Sequence, residues 1–150
     1  MNPVCTFIDF IKNLTDDDYG HNISYFSSKL YFKSGGCYEL VKTLKYFLPD
    51  SEIYVRNDYG HCTLKYKGIL YDIDGIVEDN SIYHLATKED MLYLNDPQFY
   101  GRIEIKFDFK SPSDALIQNI LKCRVMNLVD ACHKMDSVDD FYKPKQKIKE

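Results

Sequence analysis

Cys37, His61 and a carboxylate at Asp72 or Asp74 are the residue types that together activate a sulfur nucleophile. Gly35-Gly36-Cys37 introduces a run in which Cys37, Leu40, Val41, Leu44 and Leu48 recur at helical spacing. A thiol in the first turn of a helix lies at the positive end of the macrodipole, which favours the reactive thiolate. The two glycines let the backbone turn sharply and leave room for a substrate. First-turn N–H groups are also ready donors for an oxyanion. Membership of the apolar stripe makes core packing the competing role for Cys37, because unpaired cysteine is among the most buried residue types.

Gly60-His61 opens a run that continues to Tyr66, and Lys67-Gly68 reads as a tight turn into Ile69–Asp74. A two-residue turn pairs position 66 with 69, and therefore 61 with 74. Side chains alternate with period two, so His61, Asp72 and Asp74 fall on one face, Asp74 opposite the imidazole and Asp72 diagonal to it. A carboxylate there fixes the imidazole tautomer and stabilises the imidazolium, which in turn favours a neighbouring thiolate. Asp72-Ile73-Asp74-Gly75 also reads as a turn that closes the strand. Both aspartates stand as candidates.

The elements that must position these groups follow from periodicity. Val4, Phe7, Ile8, Ile11 and Leu14 place an amphipathic helix over 3–14. Residues 21–33 carry aromatics with no clean period, and Ser34-Gly35-Gly36 is a break. The Cys37 helix stops at Pro49-Asp50. Strands are predicted at 53–55, 61–66, 69–74 and 102–109, the last from a strict alternation of Ile103, Ile105, Phe107 and Phe109 with charged residues. Thr87 caps a short helix to Leu94, with Asp90 three residues on. A terminal helix starts at Ser111-Pro112 and runs through Leu116, Ile120 and Val129 to Met135. Helices at both ends around strands joined by short turns make an α+β domain with a largely antiparallel sheet. That single domain spans 1–135, and 136–150 is a charged, flexible tail.

Composition narrows the function classes. The chain has 150 residues, a net charge of -4, 45% hydrophobic and 28% charged residues, so it can bury a full core of its own. The acidic balance argues against sequence-independent nucleic-acid binding. No apolar run spans a membrane. The five cysteines form no C-x-x-C pair, which removes support for a zinc ribbon or a thioredoxin-type site and fits a reduced, cytoplasmic protein. His133 beside Cys132 and near Cys123 matches no metal-ligand spacing, and neither metal nor cofactor is expected. His21 reads as a polar surface residue and His84 as a solvent-exposed loop residue. The 13 tyrosines suit half-buried contact surfaces.

Three pieces in order carry a resemblance: Gly36-Cys37-Tyr38 with its helix, Asp58-Tyr59-Gly60-His61, and Leu70-Tyr71-Asp72-Ile73-Asp74-Gly75. Over Ser34 to Gly75 the chain resembles the papain-like superfamily of cysteine hydrolases and acyltransferases, closest to small transglutaminase-like and phage or bacterial members. The resemblance implies a papain-like core, with the Cys37 helix packed on a small antiparallel sheet. It also implies a Cys37 nucleophile, a His61 base and Asp72 as the orienting acid, whereas the hairpin count favours Asp74. Papain-type enzymes carry a Gln six residues before the cysteine; Tyr31 stands there in this chain, and Cys62 follows His61 where many relatives have an apolar residue. The expected activity is thiol-dependent hydrolysis or acyl transfer on an amide, peptide or thioester, with a protein or peptide substrate. The alternative is a non-catalytic module on the same scaffold, such as a mobile-element inhibitor that binds a host protein.

Overall fold

Asn2 starts the first helix. Its side-chain oxygen accepts from the N–H groups of Val4 at 2.8 Å and Cys5 at 3.1 Å, and Pro3 occupies the first turn, where its missing N–H costs nothing. The computed structural model describes residues 2–13, 37–95 and 112–137, and α1 spans Pro3–Lys12. Its buried face is Val4, Phe7, Ile8 and Ile11, four of the five residues of the stripe read from the sequence; the fifth, Leu14, lies outside the described residues. Helix α2, Cys37–Phe47, buries Cys37, Leu40, Val41 and Leu44 on its own stripe. The Lys45 ammonium closes its C-terminal end by donating to the carbonyls of Pro49 and Ser51. Leu40 and Leu44 are at most 1% exposed, and truncating either to alanine costs about 2–5 kcal/mol.

After Pro49 the period changes and a sheet forms. Strands β1 (Glu52–Arg56), β2 (Cys62–Tyr66), β3 (Ile69–Asp72), β4 (Gly75–Ile76) and β5 (Tyr83–Leu85) form a five-stranded antiparallel sheet in the order β4-β3-β2-β1-β5. The turn between β2 and β3 has Lys67 at φ 51° and Gly68 at φ 92°, the paired positive values of a tight hairpin. It sets Tyr66 opposite Ile69 and Leu64 opposite Tyr71, the predicted register. Helix α2 packs on central β2, and the two elements share one hydrophobic core with α1. Tyr71 is fully buried, and its hydroxyl accepts from Asn2 Nδ2 at 2.9 Å, which ties the start of α1 to β3.

Three expectations are corrected. Strand 69–74 is shorter, because the chain turns at Ile73-Asp74 and pairs Asp72 with Gly75. His84 lies in β5, paired with Val55, and not in a loop. The terminal helix is two: α4 (Pro112–Lys122) and α5 (Met126–Lys134), with the short helix α3 (Lys88–Leu94) preceding them. The break at 123–125 lets α4 pack on α2 while α5 packs on α1, which one straight rod cannot do. Lys67 Nζ reaches back from the hairpin to the carbonyls of His133 and Met135 at the end of α5. The expected strand 102–109, the aromatic segment 21–33, the break at 34–36 and the tail beyond 137 lie outside the described residues. Among the described residues the chain is α+β, and no helix is long and apolar enough to cross a membrane.

Candidate active site

Cys37 is the first described residue of α2 and is 5% exposed. It belongs to the core stripe, and His61 and Cys62 are the groups that act on its sulfur. His61 stands just before β2. Its carbonyl accepts from the Arg56 N–H at 2.9 Å, so β1 fixes its backbone. The turn that delivers it is clamped by Asp58, whose Oδ1 accepts from Arg56 Nε and the Gly60 N–H, both at 2.8 Å. A Cβ at Gly60 would sit 2.4 Å from Arg56 Nη2, so any side chain there displaces the guanidinium from this clamp.

The imidazole Nε2 lies 3.0 Å from Asp72 Oδ2. That leaves Nδ1 for Cys37. Asp72 is itself held, because its Oδ1 accepts the Asp74 N–H at 2.9 Å. The carboxylate on His61 is therefore the diagonal one. Asp74 is exposed, since the chain leaves β3 after Asp72 and the alternation that would have placed Asp74 opposite the ring ends there. His61 also meets the Tyr83 ring edge-on at 6.4 Å.

The electrostatics follow from these contacts. Hydrogen bonding from the Cys62 thiol, then the hydrogen bond and charge of His61, bring the Cys37 thiol down to about 4 against the opposing effect of burial. Asp72 first, and Cys37 second, raise His61 to about 9. Both shifts favour a thiolate beside an imidazolium over the neutral pair.

This pair makes stability pH-dependent with a definite sign. Between pH 6.5 and 9 the folded pair holds one proton, on His61, and the unfolded chain holds one, on Cys37, so the pair adds no slope. Below 6.5 the unfolded chain holds two protons and the folded pair still holds one. Stability is expected to fall on acidification from about pH 6.5 to 4, by up to about 1.4 kcal/mol per unit from this pair. Urea unfolding across pH measures it, and Cys37→Ser should lack this component.

A second polar cluster escaped the sequence reading. His84 Nδ1 lies 2.7 Å from Asn57 Oδ1 and its Nε2 lies 2.9 Å from Asp90 Oδ2. Asp90 Oδ1 accepts the Tyr59 hydroxyl at 3.0 Å. Thr87 and Asp90 form the expected reciprocal cap of α3. That cap was the available signal for Asp90; nothing local linked it to His84 or Tyr59. Near the other terminus, His133 Nε2 lies 2.8 Å from the Phe47 carbonyl oxygen. Among the described residues no group of three or more His, Cys, Asp or Glu side chains is arranged to hold a metal ion. His21 and Tyr31 lie outside the described residues.

Comparison with known proteins adds a family. The model of the family described as Phage YunG-like protein matches residues 7–115, a stretch that contains Cys37, His61 and Asp72. No curated protein and no solved structure matches.

Proposed function

The chain belongs to the Phage YunG-like family, and we propose, from the geometry of its site, that it is a thiol-dependent hydrolase or acyltransferase built on a papain-like core, acting on an amide, peptide or thioester. The observation that carries this reading is the continuous chain of contacts from Cys37 through His61 to Asp72. The Cys37 thiolate attacks the substrate carbonyl carbon, and the carbonyl electrons move onto oxygen. N–H groups at the start of α2 are the donors for that oxyanion. As the tetrahedral adduct collapses, the imidazolium of His61 gives its proton to the departing amine or thiol and leaves a thioester on Cys37. His61 then takes a proton from water, or from an acceptor amine, as it attacks the thioester. Acid or new amide leaves, and the thiolate returns. Asp72 keeps the ring oriented throughout and is a positioning residue. The expected surroundings are cytoplasmic, with a protein or peptide as substrate.

Iodoacetamide labelling of native protein, read by mass spectrometry, tests this reading. At pH 6 Cys37 should be labelled fastest of the five cysteines. Cys132, pushed up to about 11 by burial, and Cys5, raised for the same reason, supply the internal contrast. Labelling of Cys37 no faster than these would favour the second reading, a non-catalytic module that binds a host protein. That reading draws support from exposed apolar side chains at Ile82, Leu85 and Leu92, the last 75% exposed.

A further inference from the structure

We propose that the cavity lined by Tyr59, Glu89, Asp90 and Tyr93 receives a lysine or arginine side chain of the substrate whose carbonyl is attacked by Cys37. The inference rests on the thiol-dependent reading above and names the substrate class for that site.

The cavity measures about 310 Å³, at the lower end of small-molecule sites, and suits one extended side chain. Its lining is two phenol rings and two carboxylates, with no basic group. The rings of Tyr59 and Tyr93 meet edge to face at 5.6 Å and together make one aromatic wall, against whose free ring face a cation entering the cavity can lie. Asp90 is 5% exposed and is locked by Tyr59, His84 and the Thr87 N–H. Glu89 is exposed at the first turn of α3 and supplies the second negative charge at the rim. An anionic side chain would be repelled here, and a neutral one would gain nothing from the negative charge of Glu89 at the rim.

Position links the cavity to the thiolate from two sides. Tyr59 precedes His61 by two residues, at most about 7 Å of chain. It is held at φ 61°, a conformation bulky residues rarely adopt, with its hydroxyl on Asp90. From the other side, Tyr38, the neighbour of Cys37, donates its hydroxyl to Asn95 Oδ1 at 2.9 Å. Asn95 is the C-cap of α3, two residues beyond Tyr93. The turn that presents the base and the helix tied to the nucleophile thus share the cavity walls.

Three dipeptidyl chloromethyl ketones test this, identical except for lysine, arginine or norleucine next to the reactive ketone. The Cys37 thiolate displaces chloride and forms the carbon–sulfur bond, and the rate is read by mass spectrometry at low salt. The lysine or arginine reagent should react about five- to tenfold faster than norleucine. Glu89→Gln and Tyr93→Leu should each bring that ratio towards one; because it is a ratio within one variant, a general loss of folded protein cancels. Equal rates for all three reagents, together with selective Cys37 labelling by iodoacetamide, would overturn the cavity assignment and leave the thiolate reading standing. A ratio that survives both substitutions overturns it too. Absence of selective Cys37 labelling by iodoacetamide strikes the functional reading first, and this inference with it.

Discussion

Replacing His61 with alanine is expected to turn a flat pH profile of Cys37 alkylation into a rising one. In the native protein the thiol is down at about 4, so the thiolate is fully formed from pH 6 to 8 and the iodoacetamide rate is level there. His61→Ala removes a hydrogen bond and a positive charge from the sulfur, while burial continues to favour the neutral thiol. The acid limb then moves up in pH. Where it lies above the measured window, the rate climbs about tenfold per pH unit, close to a hundredfold between pH 6 and 8. A comparison at one pH would understate this, because a thiolate of higher pKa is the stronger nucleophile once formed. The full profile is the measurement. A level profile in His61→Ala would mean that the Cys62 thiol, not the imidazole, holds Cys37 ionised, and a base role for His61 would lose its support.

The second large effect separates two neighbouring carboxylates. Asp72→Ala should destabilise the protein by about 1–3 kcal/mol, because it leaves a largely buried imidazole N–H unpaired and also removes the acceptor for the Asp74 N–H. Asp74→Ala changes an exposed side chain and should stay within about 0.5 kcal/mol of the native protein. Asp72→Asn keeps an oxygen for the Asp74 N–H but withdraws the charge that favours imidazolium. It should therefore shift the Cys37 alkylation profile in the same direction as His61→Ala, by less, while recovering part of the lost stability. Urea unfolding and the alkylation profile on the three variants measure both effects. Equal costs for the two alanine variants would remove Asp72 from its positioning role.

Local chemistry determined much of this protein. The apolar stripes of α1 and α2, the cap at Thr87 and the turn at Lys67-Gly68 are written in residues a few positions apart, so a short window of sequence is enough to read each. The hairpin register follows from the turn alone, and with it the set His61, Asp72 and Asp74. What decided between the two aspartates was not local. Strand β3 ends at Asp72 because the chain folds back to form β4 on the edge of the sheet, and that pairing ends the alternation on which the choice of Asp74 depended. The division of the terminal helix has the same origin: its segments pack on different partners, α2 and α1, and no window of sequence names the partner. His84 looked like an exposed loop residue because the strand that holds it is three residues long, too short for a period. Its place in the fold comes from pairing with β1 and from Asp90 on a separate helix. Cys37 shows the limit most directly. Its spacing left core residue and nucleophile both open; only the packing of α2 against β2, which brings Cys62 and His61 to the same sulfur, gives a buried side chain the surroundings that favour a thiolate.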